Sequence, residues 1–199
     1  GVSCTHLSAL WLEQRSNIQY KSEVFARNPK GAKVHAFSAQ GFIVMLCVCN
    51  THRFSHMSAQ SLRIRPAQAQ DCELILSFIR ELAVYEKLEH ELVATPEILA
   101  ETLFGPKTYA EVLIAEYDGK PVGYALFFHS YSTFNGRPGI YLEDVYVQPA
   151  LRGKGIGKAL MSYLAKLAVE RKCSRFEWSV LDWNAPSIAF YRSIGAQPM

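Results

Sequence analysis

Regular alternation of apolar and polar residues begins only at Leu62 and then continues along the chain. Leu62-Arg-Ile-Arg-Pro predicts a short strand that Pro66 closes. Asp71 is expected to cap a first helix, whose apolar face comprises Leu74, Ile75, Phe78, Ile79, Leu82 and Tyr85 at helical spacing. Thr95-Pro96-Glu97 places an N-cap, a proline and an acid in succession, and so predicts a second helix that ends near Leu103.

The middle of the chain has the pattern of an antiparallel sheet. Residues 109–117 and 121–131 are predicted strands joined at Asp118-Gly119, which is a strong hairpin signal. After a turn at Asn135-Gly136, residues 140–147 form a third strand, and glycines then open an amphipathic helix. Residues 175–181 form another strand, and Asn184 caps a last helix that Gly195 ends. The order predicts a mixed α/β domain over residues 62–199 with a central sheet.

Residues 1–56 lack such periodicity, and we assign no function to them. The chain starts at Gly1, and Met57 stands just before the patterned region. We therefore expect residues 1–56 to be an extension that is disordered or non-native, and Met57 to be the natural start of the folded domain.

Composition excludes several classes of protein. A net charge of +3 is too small to indicate a nucleic-acid or membrane partner. The five cysteines form no regular framework, which favours a reducing compartment. The longest apolar run, residues 41–49, is about half the length that spans a bilayer, and it lies too far along the chain for a signal peptide. We expect a cytoplasmic protein.

The stretch from Val147 to Lys158 carries the clearest chemistry. A strand ends, glycines follow at Gly153, Gly155 and Gly157, and a helix begins. Unpaired N–H groups at a helix start carry partial positive charge, and glycines let a ligand approach them. This arrangement suits a pyrophosphate, with Arg152 and Lys158 adding charge at its rim.

Two better-known phosphate motifs do not fit this stretch. A Walker A loop aligned on Gly157-Lys158 would have Arg152 in place of its first glycine and Ala159 in place of its Ser or Thr. A Rossmann fingerprint counted from Gly153 would have Lys158 in place of its third glycine, and the preceding strands look antiparallel. The spacing alone therefore does not identify the nucleotide.

Several motifs jointly resemble one family. Arg152-x-x-Gly155-x-Gly157 matches the acetyl-CoA motif of the GNAT superfamily of N-acetyltransferases. Tyr141-Leu-Glu-Asp-Val-Tyr-Val147, Asp182-Trp-Asn-Ala-Pro-Ser187 and Phe190-Tyr191 are similar to its spermidine/spermine (diamine) branch and bacterial relatives, as are Ile64-Arg-Pro and Glu81-Leu-Ala-Val-Tyr-Glu86. The resemblance implies an α/β fold of GNAT type, with a mixed, largely antiparallel central sheet flanked by helices.

The same resemblance implies where acetyl-CoA would bind. The strand before the glycine turn would pair with the pantetheine arm through its backbone, and the Val145 N–H would face the thioester oxygen. The residues implied for the cofactor are Val145, Tyr146, Val147, Arg152, Gly153, Lys154, Gly155, Ile156, Gly157, Lys158, Asn184 and Ser187.

The reaction would be attack of a neutral amine on a thioester. A primary amine with a pKa near 10.4 is neutral in only roughly a few molecules per ten thousand at pH 7, so the site must remove a proton. The resemblance makes Tyr191 the general acid for the thiolate and Glu143 the amine-binding carboxylate, which could relay the proton through water. Tyr85, Glu86, Glu177 and Trp178 match other acceptor positions. Strand alternation would send Glu143 and Asp144 to opposite faces.

Two departures from the family pattern leave the acceptor open. Residues 130–136 lack the acid that polyamine-specific relatives carry, so diamines, polyamines and thialysine-like amino acids all remain candidates. Relatives continue past the position of Met199 through one more strand, so we expect a truncated domain with an exposed sheet edge. An inactive acyl-CoA-binding or regulatory module, and a protein N-acetyltransferase of the same fold, are the alternatives. A homodimer is common in the family.

No metal is expected. Cys47, Cys49, His52 and His56 have the residue types of a zinc site at short spacing. The two cysteines lie in an apolar run within an unpatterned region, which favours chance over ligation.

Overall fold

The computed structural model of the chain describes residues 17–22 and 61–198. The zinc-like residues Cys47, Cys49, His52 and His56 lie outside these ranges, as does most of the predicted extension. The described strands are β1 (Asn17–Ser22), β2 (Leu62–Pro66), β3 (Glu111–Tyr117), β4 (Lys120–Ser132), β5 (Arg137–Val147), β6 (Phe176–Leu181) and β7 (Gln197–Pro198). The α-helices are α1 (Cys72–Glu86), α2 (Pro96–Phe104), α3 (Ile156–Glu170) and α4 (Ala185–Ser193). The predicted order of elements from Leu62 onward is confirmed.

The described strands form one sheet in the order β2-β3-β4-β5-β6-β1-β7. Neighbours from β2 to β5 are antiparallel, whereas β5 and β6 are parallel. The hairpin between β3 and β4 turns at Asp118 and Gly119, which both have positive φ, as that turn requires. The sheet is thus mixed and largely antiparallel, as predicted.

The sequence predicted an exposed sheet edge, but β6 is covered by another strand. β1 pairs antiparallel with β6 along all six of its residues, from Asn17 opposite Leu181 to Ser22 opposite Phe176. The two-residue β7 pairs with the far side of β1. Part of the segment to which no function was assigned therefore supplies a strand of the sheet, and the C-terminal strand has two residues in the part of the chain that the structure describes.

Helices cover both faces of the sheet. On one face α3 buries Leu160, Leu164 and Ala168 against the sheet, and on the other α1 buries Ile75 and Phe78. Each fully buried large apolar side chain contributes about 1.5–3 kcal/mol before the loss of conformational entropy. No helix in the described ranges is both long and apolar enough to cross a bilayer.

The helix caps are confirmed with one exception. Thr95 accepts a hydrogen bond from Ile98 N, and Asn184 accepts one from Ser187 N. Asp71 does not cap α1 with its side chain, contrary to prediction. Its carboxylate instead accepts hydrogen bonds from the Arg65 guanidinium at 2.7 and 3.0 Å, because β2 carries Arg65 past the start of the helix.

Candidate functional site

Two parallel strands part to form the main cleft. β5 and β6 pair only from Ile140 opposite Phe176 to Leu142 opposite Trp178, after which no further pairing joins them in the described residues. A cleft of about 870 Å³ opens beyond this point, lined by both strands, the turn after β5 and the start of α4. A cleft of this volume is within the range of pockets that bind small molecules and cofactors.

A β-bulge sits where the strands part. Phe127 of β4 lies opposite Leu142, and the preceding residue, Leu126, lies opposite Asp144, so Glu143 is the extra residue. A bulge shifts the alternation of side chains along its strand. Leu142 consequently packs on the α3 face, whereas Asp144 hydrogen-bonds Tyr124 in the cluster on the α1 face. Both Glu143 and Asp144 line the cleft, and their separation to opposite faces of the sheet stays a prediction.

The glycine turn builds the anion-binding end of the cleft. Gly153 and Gly155 have φ of 79° and 82°, in the left-handed region that favours glycine. Gly155 is the residue before α3, so the first turn of that helix directs its unpaired N–H groups into the cleft. Lys158 also lines the cleft. These groups suit the diphosphate of a nucleotide cofactor.

Arg152 is held in place by neighbours. Its Nε donates to Val147 O at 3.0 Å, and its guanidinium lies 4.8 Å from the ring centre of Tyr85 and 5.7 Å from that of Tyr146. Lys154 is not among the residues that line the cleft; its Nζ lies 5.0 Å from the ring centre of Tyr117. Arg152 is thus the preorganised cation of the turn.

The cleft is acidic where β5 and β6 separate, away from the Val147 end of β5 that holds Arg152. Glu86 of α1, and Glu143 and Asp144 of β5, all line it. The Asp144 Oδ2 accepts a hydrogen bond of 2.9 Å from the hydroxyl of Tyr124, which is fully buried. Sequence reasoning assigned no role to Asp144, because the bulge that turns it into the cleft has no local sequence signal.

Tyr191 of α4 reaches the cleft from a buried position. Its ring is 5.1 Å from that of Trp178 and 5.3 Å from that of Phe190. Burial raises the pKa of Tyr191 well above its ordinary value, and the negative charges of Asp144 and Glu86 raise it further. A phenol in this environment stays protonated at neutral pH and can act as an acid.

A hydrogen bond joins α1 to the start of α4 beside the cleft. The Asn184 Oδ1 accepts from Ser187 N at 3.3 Å, which caps α4, and from the Tyr85 hydroxyl at 2.9 Å. The Tyr85 ring also packs 5.9 Å from that of Trp183. Tyr85 is therefore fixed between Asn184 and Arg152.

Most predicted site residues line this one cleft, and their roles stay predictions. The structure brings together Tyr85, Glu86, Glu143, Val145, Tyr146, Val147, Arg152, Gly153, Gly155, Ile156, Gly157, Lys158, Asn184, Ser187 and Tyr191. Glu177 and Trp178 do not line the cleft: Glu177 pairs with Arg175 at 2.9 Å, and Trp178 is 2% exposed behind Tyr191. Sequence reasoning also missed Tyr141 and Ser179, whose hydroxyls are 2.8 Å apart in the cleft lining.

Comparison with known proteins gives concordant matches. The model of the acetyltransferase (GNAT) family matches residues 77–196. Thialysine N-epsilon-acetyltransferase of Mus musculus is 41% identical over 147 residues, covering 70% of this chain and 86% of the relative. L-ornithine N5-acetyltransferase of Arabidopsis thaliana is 31% identical, covering 68% and 79%.

A solved structure agrees with these sequence matches. An integron cassette protein from the mobile metagenome of V. cholerae superposes with a TM-score of 0.59 at 29% identity, covering 70% of this chain and 87% of the other. With the family match spanning more than half of its length, the chain belongs to the GNAT family of acetyltransferases and is an N-acetyltransferase.

Proposed function

We propose that the protein transfers an acetyl group from acetyl-CoA to a primary amine of a small cationic acceptor, such as a diamine, a polyamine or a thialysine-like amino acid. The division of charge in the cleft carries this proposal. One end offers peptide N–H groups and Arg152, and the other offers Glu86, Glu143 and Asp144. The first end suits a diphosphate and the second suits an ammonium group.

The residues of the cleft support a direct transfer between two bound ligands. The glycine turn would hold the diphosphate of acetyl-CoA, and β5 would pair with its pantetheine arm where β6 has moved away. The Val145 N–H would stabilise the oxyanion that forms from the thioester carbonyl. Glu143 would position the acceptor amine, and Tyr191 would protonate the departing thiolate.

The relatives support a small acceptor over a protein. Those compared above are named for acetylation of thialysine and of L-ornithine. Their acceptors are amino acids that carry a side-chain amine, which matches the acidic end of this cleft. The domain over residues 62–199, the cytoplasmic location, the homodimer, and the absence of a metal, nucleic-acid or membrane partner remain predictions.

A thiol-release assay tests the proposal. The full chain with acetyl-CoA should release thiol faster when thialysine, ornithine, putrescine or spermidine is added than when no acceptor is present. A lysine-containing peptide should increase the rate less than these small amines do. Glu143→Gln should raise the acceptor KM about tenfold, because one carboxylate near the ammonium loses its charge. Glu101→Gln on the exposed side of α2 is the matched control and should not change it.

Two outcomes would contradict the proposal. Binding of acetyl-CoA without amine-dependent thiol release would favour an acyl-CoA-binding module. A peptide that outperforms every small amine would favour a protein N-acetyltransferase.

A further inference from the structure

Asp144 lines the cleft but has no role in the mechanism proposed above. It follows the bulge at Glu143, lines the acidic end of the cleft, and immediately precedes Val145, whose N–H would meet the thioester oxygen. With both ligands bound as proposed, a group at this position would lie beside their reacting atoms. It is therefore placed to act in the chemical step as well as in acceptor binding.

The Asp144 carboxylate is fixed by a buried neighbour. Tyr124 of β4 has no exposed surface, its ring is stacked with that of Phe78 at 5.8 Å, and its hydroxyl donates to Asp144 Oδ2 at 2.9 Å. A phenol so tightly packed presents its hydroxyl in one orientation. Glu143, the extra residue of the bulge, is by contrast exposed and has a longer side chain. Asp144 is the better oriented of the two carboxylates.

Titratable groups from four elements lie around Asp144. They belong to Tyr124 on β4, Glu143 on β5, Glu86 on α1 and Tyr191 on α4. Burial raises the pKa of Tyr191, and Asp144 is the first of the charged groups that raise it further. Burial raises the pKa of Tyr124 as well, again with Asp144 foremost among the charges. Both phenols therefore stay protonated beside a carboxylate that can take a proton.

We propose that Asp144, oriented by Tyr124, is the carboxylate that accepts the proton of the acceptor ammonium before acetyl transfer. This inference rests on the function proposed above. Glu143 then acts in binding the acceptor, and Asp144 acts as the general base.

The protons balance in this sequence of steps. The ammonium gives one proton to Asp144 and becomes a neutral amine. Its nitrogen attacks the carbonyl carbon, so that the carbon–nitrogen bond forms and the carbon–sulfur bond breaks. Tyr191 gives its proton to the thiolate and regains one from the acetylated nitrogen. Asp144 passes its proton to solvent, which accounts for the one proton released per turnover.

The pH dependence of kcat/KM of the full chain tests this role. Tyr124→Phe keeps the packed ring and removes only the hydrogen bond donated to Asp144. Such a bond favours the ionised form of its acceptor, so its loss should move the acidic limb upward by about 0.5 pH unit or more. Asp144→Asn should lower kcat/KM by about 100-fold and abolish that limb.

Two further variants make the comparison specific. Glu143→Gln should raise the acceptor KM and keep the acidic limb, because its carboxylate is not the base. Tyr131→Phe removes a hydroxyl from an exposed tyrosine elsewhere on β4 and is the matched control for Tyr124→Phe. Thermal midpoints of all variants identify any that fail to fold.

The results separate the two proposals. An unshifted acidic limb in folded Tyr124→Phe, or a limb that persists in Asp144→Asn and disappears in Glu143→Gln, overturns the role of Asp144 alone. If the unaltered chain releases no thiol in response to any amine, both proposals fail.

Discussion

Tyr191 combines a reactive hydroxyl with a ring that belongs to the core. Its contacts with Trp178 and Phe190 involve the ring and not the hydroxyl. Tyr191→Phe keeps both ring contacts and should lower kcat about 100-fold, as expected for loss of a general acid. Steady-state thiol release measures this effect, and thermal unfolding checks that the variant folds. A kcat within twofold of the unaltered enzyme would exclude Tyr191 as the acid.

The pH profile gives a second test of the same residue. Burial and the charges of Asp144 and Glu86 raise the pKa of Tyr191, so the protonated, acid-competent form is present throughout the range below the ordinary tyrosine value of about 10. We therefore expect no loss of kcat from Tyr191 ionisation between pH 7 and about 10. A basic limb in that range that vanishes in Tyr191→Phe would contradict this expectation.

The start of α3 depends on backbone conformation at one glycine. Gly155 precedes the helix with φ of 82°, where an added Cβ would meet no neighbouring atom but would strain the backbone. Gly155→Ala should cost about 1–2 kcal/mol of stability and should raise the KM for acetyl-CoA, because the helix N–H groups would be misplaced. Gly119→Ala, in the distant β3–β4 turn at φ of 75°, is the matched control.

The comparison separates strain from binding. Both alanine variants should lose similar stability in chemical denaturation, and only Gly155→Ala should change the cofactor KM. Equal KM values in the two variants would show that the turn does not orient the bound diphosphate.

Across the whole molecule, β1 ties a distant part of the chain to the sheet. Removing residues 1–56 would leave β6 without its antiparallel partner and would release the short β7. We expect the shortened chain to unfold at a lower temperature and to self-associate as concentration rises, because unpaired strand edges bind one another. Thermal unfolding and light scattering check both effects. An unchanged midpoint in a monomeric shortened chain would show that β1 is dispensable.

Local sequence signals predicted the elements and much of the cleft. Caps at Thr95 and Asn184, the turn at Asp118-Gly119 and the glycines after Val147 are encoded in adjacent residues, so they could be read directly. The α/β class followed from the order of elements.

Features set by distant contacts could not be predicted. The sequence predicted that Asp71 caps a helix, but its carboxylate binds Arg65, which lies outside the local pattern and is positioned by β2. The unpatterned residues 17–22 gave no indication that they pair with β6. The bulge at Glu143 depends on the register against β4, which is set elsewhere in the hairpin, so the position of Asp144 could not be deduced from alternation.

Because β5 has one residue more than β4 at the bulge, the shape of the cleft depends on the length of β5 as well as on which residues it contains. An in-frame loss of the single codon for Glu143 would leave Asp144 opposite Leu126 and would straighten β5 at the point where the cleft opens, because the bend that a bulge gives its strand would be lost. Every other motif would remain intact in such a gene. A variant of this kind would score as nearly normal when positions are compared one by one, although the cleft would have lost both a carboxylate and the bend in its β5 wall.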